Sequence, residues 1–329
     1  VTHEGWSVDD FIACVDERSP ELALTIASDA PFGRLTTYRV GGTAACAVEI
    51  NSVDDLILVG DAARECGAPV SVLGRGSNTL VSDSGWHGVV VTLGDFAEWI
   101  HAEPTDGRIG DPLVVEAGGS VALPVLSRRM ASLGIAGLEW MVGVPGSIGG
   151  AVRMNAGGHG SDMADSLIDV DVVDLKQSTL EKRGLEELGL AFRSSALDSR
   201  HVVVSARLSG AVGDGDELSR RVEEIVKWRR EHQPGGQNCG SVFVNPVPGE
   251  VSAGELIDNI GLRGFRIGTA EVSAKHANFI QADIGGLADD VMAVMDVVRE
   301  RVREATGFSL RSEVQLFGFN EVSGSELAR

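Results

Sequence analysis

The chain has 329 residues, 43% of them hydrophobic and 23% charged, a globular composition long enough for two domains at roughly 100–200 residues each. Lys and Arg number 28 against 48 Asp and Glu, and the net charge of −20 repels nucleic acid and anionic membrane surfaces, while 5% aromatic residues leave few rings for stacking on bases. Cys14, Cys46, Cys66 and Cys239 have neither the paired spacing of a zinc site nor the density of a disulfide framework, so reduced thiols in the cytoplasm are expected.

The opening residues carry acids where a signal peptide needs a basic start, and no segment reaches about 18 consecutive apolar residues. Neither export nor a membrane span is expected. Residues 1–30 read as a helical extension. Ser52, followed by Asp54 and Asp55 and closed by Gly67, frames a helix ending at Cys66. Short β-branched runs at Val70 to Leu73, Gly88 to Leu93, Leu113 to Glu116, Ile168 to Leu175 and Val202 to Leu208 read as strands. Ser120 to Leu133 reads as a helix, with Pro124 in its first turn and Gly134 just past its end.

Ala211 to Asp216 is a Gly and Asp linker, and Leu218, Val222 and Ile225 then line one stripe of a long helix. A short strand is expected at Ser241 to Asn245 and a helix at Ala253 to Ile260. A longer helix follows, whose buried face is Leu287, Val291, Met295, Val298 and Val302. From Leu310 to Phe317 the chain alternates, with Leu310, Ser312, Val314 and Leu316 on one side and Arg311, Glu313, Gln315 and Phe317 on the other.

Glycine is the compositional outlier, 42 residues, and it clusters. Leu73-Gly74-Arg75-Gly76-Ser77-Asn78-Thr79 follows a strand, where successive free N–H groups can form a nest for phosphate oxygens; taken alone it is as well explained as an ordinary turn. It lacks the third glycine of the dinucleotide fingerprint, and no phosphate-binding GxxxxGK occurs. Gly143-Val144-Pro145-Gly146-Ser147-Ile148-Gly149-Gly150-Ala151, running on to Asn155 and Gly157, is a second backbone cradle. Arg229 and Arg230 could hold a phosphate or carboxylate, or simply offset a helix C-terminus. Ser241 has no nucleophile elbow, and His276 has no partner at metal-ligand spacing, so no metal is expected and a structural histidine is the default. Glu313 reads equally as the partner of Arg311 on a solvent-facing strand.

In order along the chain, LTTYRVGG from Leu35, the two glycine clusters, Phe192-Arg193, Gln233-Pro234, CGSVF from Cys239, AGELI from Ala253, GLRG from Gly261 and VSAKHANF from Val272 resemble the UDP-N-acetylenolpyruvoylglucosamine reductase family over roughly residues 30 to 318. The resemblance implies an α+β protein. Its FAD-binding domain would be of the vanillyl-alcohol oxidase type, in two subdomains (about 31–93 and 94–210), followed by a C-terminal α+β substrate domain (211–318) and a tail (319–329). It also implies FAD and NADPH as cofactors and UDP-N-acetylglucosamine enolpyruvate as substrate, reduced to UDP-N-acetylmuramate for peptidoglycan. A monomer is expected.

By motif position the resemblance puts the proton donor on Ser241, the arginine on Arg193 and the acid on Glu313. FAD contacts fall on Tyr38, Arg39, Val40 and Gly41, on the two glycine clusters with Asn155 and Gly157, and on Gly118. Substrate contacts fall on Arg229, Arg230, Gln233, Asn245, Lys275 and His276. Added hydride leaves negative charge on the substrate carboxylate, which Arg193 can stabilise; Glu313 can help only as a neutral hydrogen-bond donor, which requires burial to raise its pKa. Val244, Arg153 and His159 depart from the family pattern, which usually has Lys, Tyr and Tyr there. The absence of an inserted tyrosine loop points to the shorter subclass. A flavin oxidase of a sugar or alcohol, and a flavin-binding module without turnover, are the alternatives.

Overall fold

The computed structural model describes residues 5–102 and 107–319. Helix Val53–Cys66 forms as its end signals dictate: Ser52 accepts from the Asp55 N–H, Asp54 and Asp55 occupy the first turn, and Gly67 closes it at φ 72°. Its buried face of Leu56, Val59, Ala62 and Ala63 packs with Cys46, Val48, Val89 and Val91 of a four-stranded sheet. That sheet runs Ala27–Ala30, Ala44–Ile50, Trp86–Leu93, Val70–Val72, the first pair antiparallel and the others parallel.

The N-terminal extension is part of this unit rather than an appendage. Helix Val8–Asp16 buries Phe11 and Val15 in the same cluster, and Ala27–Ala30 supplies the sheet's edge strand.

A second, antiparallel sheet is ordered Thr179–Gly184, Leu167–Asp174, His201–Val212, Pro112–Gly118, Ile100–His101. Helices Leu123–Ser132 and Ile148–Met154 cover it through Leu123, Leu126, Met130, Ile148 and Val152. The expected linker is shorter than its composition suggests. Strand His201–Val212 runs through Val212 and helix Gly215–His232 starts two residues on, capped by Asp214 accepting from the Asp216 and Glu217 amides.

The third unit packs helices Ala253–Asn259 and Ala288–Thr306 against the antiparallel strands Arg266–Ile267, Ala270–Val272 and Ile280–Ala282. The strand expected at Ser241 to Asn245 is reduced to a bridge between Phe243 and Ser312, extended by Val244 N–H to Arg311 O and Glu313 N–H to Val242 O. The alternating segment after Leu310 becomes regular strand only at Gln315–Phe317, which pairs in parallel with Thr79–Val81 in the first unit. Residues 320–329 of the expected tail lie outside the described residues. Among the described residues no helix is long and apolar enough to cross a membrane.

Candidate active site

A cleft of about 480 Å³ opens where the three units meet. The loop from Leu73 to Thr79 forms one wall. Among the described residues the amides of Gly74, Arg75, Gly76 and Ser77 find no acceptor, so four main-chain donors are available to a ligand. Gly76 (φ 60°) lies so close to the preceding loop that a Cβ there would stand 2.6 Å from Leu35 O and 2.7 Å from Thr36 Cα.

The second glycine loop faces the first. Ser77 Oγ donates to Pro145 O at 2.7 Å, and a Cβ on Gly74 would stand 2.5 Å from Ser147 Oγ. Gly143, Val144, Pro145, Gly146, Ser147, Gly150, Ala151 and Gly157 all line the cleft. Orphaned amides opposite a glycine-rich wall suit the extended anionic diphosphate of FAD. The two glycine loops would hold it.

Arg193, Glu313 and Ser241 all line the cleft. Arg193 sits at φ 56° in a turn closed by reciprocal bonds between Ala191 and Ser194, and its Nη1 and Nη2 donate to Asn155 O (3.3 Å) and Gly157 O (2.8 Å). Its Nε stands 3.2 Å from Glu313 Oε2. Glu313 is therefore the partner of Arg193 rather than of Arg311, and its side chain is only 13% exposed. Burial pushes this carboxyl up to about 7, against the pull of the Arg193 and Arg311 guanidiniums. Ser241 lines the same cleft, and the Glu313 N–H to Val242 O bond ties the two segments together. Asn78 Nδ2 donates to Glu313 O at 2.7 Å, so the phosphate-type loop and the acidic segment are braced directly.

Arg229 and Gln233 also line the cleft, joined by an Nε to Oε1 bond of 2.8 Å, and burial lowers the pKa of Arg229. Other expected residues stand behind the wall. Tyr38 and Val40 are buried in the core of the third unit, Tyr38 donating its hydroxyl to Ile280 O, while Gly41 is pressed so close to Val81 that a Cβ would meet its carbonyl at 2.1 Å. Arg39, at φ 54°, turns the chain between them. Gly118 and Gly149 allow close backbone approach to Ala97 and to Gly119 and Val203.

Asn155 (φ 39°) spends its side chain on Asp162, Ala191 and Ala164. Asn245 accepts from the Ala253 N–H at the start of a helix; Lys275 Nζ donates to the carbonyl of Arg230, whose own side chain is exposed. The His276 ring lies tilted against Phe279 at 4.6 Å, and burial lowers its pKa. Of the departures, Arg153 lines the cleft, Val244 is buried, and the His159 ring packs on Trp228 at 5.1 Å over Gly143.

Thr37, Met154, Cys239, Gln315 and Phe317 line the cleft too, and sequence reasoning did not single them out as site residues. For Gln315 and Phe317 the signal was present, since both alternate in register with Glu313. No group of three or more His, Cys, Asp or Glu capable of holding a metal occurs among the described residues.

The glycine-walled cleft and the domain that builds it define an FAD-binding flavoprotein. Residues 44–182 match the family model described as FAD binding domain, and residues 232–317 match that of the UDP-N-acetylenolpyruvoylglucosamine reductase C-terminal domain. The UDP-N-acetylenolpyruvoylglucosamine reductase of Rubrobacter xylanophilus is 39% identical over 292 residues (88% of this chain, 94% of that one), and that of Gloeobacter violaceus 42% over 308 residues (92% and 97%). The crystal structure of the UDP-N-acetylenolpyruvylglucosamine reductase from Thermus caldophilus superposes with a TM-score of 0.72 at 33% identity, covering 89% of this chain and 98% of that one. The chain belongs to the UDP-N-acetylenolpyruvoylglucosamine reductase family and is an FAD-containing oxidoreductase.

Proposed function

We propose that this chain, a monomer in the cytoplasm, reduces UDP-N-acetylglucosamine enolpyruvate to UDP-N-acetylmuramate at the expense of NADPH, with Ser241, Arg193 and Glu313 as its catalytic residues. The observation that carries the reading is the presence of a half-buried hydroxyl, a guanidinium and a carboxyl of raised pKa in one cleft beside a main-chain anion nest. The two glycine loops would hold FAD, which would supply hydride chemistry with NADPH as the source.

The protein's own groups handle charge and proton. Arg193, oriented by the carbonyls of Asn155 and Gly157, binds the substrate carboxylate on which negative charge accumulates. Glu313 in its protonated form donates a second hydrogen bond to that carboxylate. Ser241 delivers the proton to the carbon left electron-rich by hydride addition; a hydroxyl suffices because such a carbon is strongly basic. Arg229, held by Gln233, and the exposed Arg230 are the cations for the nucleotide diphosphate.

The test is spectroscopic. Purified protein is expected to be yellow, to release its chromophore on denaturation, to bleach with NADPH without oxygen, and to recover colour when the enolpyruvyl nucleotide sugar is added. S241A should still bleach with NADPH but lose substrate-driven recovery by about 100-fold or more. A colourless protein that takes up no FAD would end the reading; undiminished recovery in S241A would end the role of Ser241.

A further inference from the structure

We propose that Cys14 and Cys66 form a reversible disulfide that fastens the N-terminal helix to the first unit when a small-molecule disulfide is present. Cys14 lies on helix Val8–Asp16 and Cys66 is the last residue of helix Val53–Cys66. The Cys66 thiol donates to Cys14 Sγ at 3.2 Å, so closing a bond of about 2.05 Å needs an approach of roughly 1.2 Å. All four cysteines are free; these two are half-buried and within a reagent's reach, whereas Cys46 and Cys239 are buried.

The surroundings hold the two sulfurs in place. Arg18 grips both carboxylate oxygens of Glu65 (2.7 and 2.8 Å), the neighbour of Cys66, and donates through Nη1 to the carbonyl of Cys14 at 2.8 Å. Beneath them Phe11 and Val15 are fully buried in the core that also holds Val59, Ala62 and Ala63. The two sulfurs are therefore held side by side before reaction, and only the short approach remains.

The exchange balances with the reagent as oxidant. The Cys14 thiolate attacks one reagent sulfur and expels the first small thiol. Cys66 then gives its proton to solvent and attacks the Cys14 sulfur of the mixed disulfide, expelling the second. Two protein sulfurs are oxidised and two reagent sulfurs reduced. Desolvation and the neighbouring Cys14 sulfur push the Cys66 thiol up to about 12, which makes it a poor first nucleophile; in the second step its closeness to the Cys14 sulfur offsets that. The bridge closes a long loop, from residue 14 to residue 66, and so restricts the unfolded chain.

The experiment incubates the full-length, FAD-loaded protein with oxidised glutathione. Thiols counted after denaturation should fall from four to two, a proteolytic map should join the peptides of Cys14 and Cys66, and dithiothreitol should restore all four. The oxidised form should melt a few degrees higher. Cys66→Ser should stop at one mixed disulfide on Cys14 with no such gain, and Cys14→Ala serves the same comparison if that variant does not fold. Four persistent thiols, mixed disulfides on both residues without closure, or a bridge through Cys46 or Cys239 would overturn the proposal.

Discussion

Glu313 shows how one side chain acquires a role from its surroundings. In water a glutamate beside an arginine is ionised; here loss of solvent outweighs the attraction of Arg193 and lifts the carboxyl to about 7. The sign of the consequence is definite. Between the ordinary value of 4.5 and about 7 the folded chain binds a proton that the unfolded chain does not, so stability falls as pH rises across that window. Turnover should decline on the same upper limb, about tenfold per pH unit above 7 as the neutral donor is lost. E313Q, permanently neutral, should flatten both profiles while keeping turnover at pH 6 within about tenfold of wild type, measured by NADPH oxidation and by thermal melts against pH. The sequence supplied this residue's identity through its motif. Its partner was not legible, because Arg193 lies 120 positions away and meets it only through a turn with a left-handed backbone.

At the scale of elements, the two glycine loops approach each other closely because several of their positions carry no side chain. Gly76 cannot carry a side chain without pushing into Leu35 and Thr36, and its φ of 60° disfavours any other residue. G76A should shift the loop that presents the free amides and weaken FAD retention at least about tenfold, read by the flavin fluorescence released on dilution. The loops themselves were visible as glycine clusters after a strand, as were the helices with clear caps such as Val53–Cys66. The segments around Phe243 and Ser312 were harder: they are too short for periodicity to define, and they pair with each other across some seventy residues. The alternation from Leu310 nevertheless put Glu313, Gln315 and Phe317 on one side, and all three face the cleft. The packing of the Tyr38 side chain was not legible: a residue next to a loop that lines the cleft can serve another unit's core.

Across the whole molecule, the first and third units are joined by few but specific contacts. Helix Ala288–Thr306 has Leu287 at its N-cap, which offers no side-chain acceptor, and Asp83 from the first unit supplies it instead, accepting from the Ala288 and Asp289 amides at 3.1 and 2.9 Å. D83A should cost about 1–2 kcal/mol and lower Tm by a few degrees in calorimetry, while D83N keeps part of the cap. The hydroxyl of Tyr38 on Ile280 O, the Asn78 to Glu313 bond and the strand pair Gln315–Phe317 with Thr79–Val81 add to the junction.

That strand pair sets an order of events during synthesis. Thr79–Val81 leaves the ribosome more than two hundred residues before its partner does, and the carboxyl two positions ahead of Gln315 arrives with that partner. A nascent chain can thus assemble its anion nest early, yet it gains the acid facing Arg193 only after more than two hundred further residues have been added.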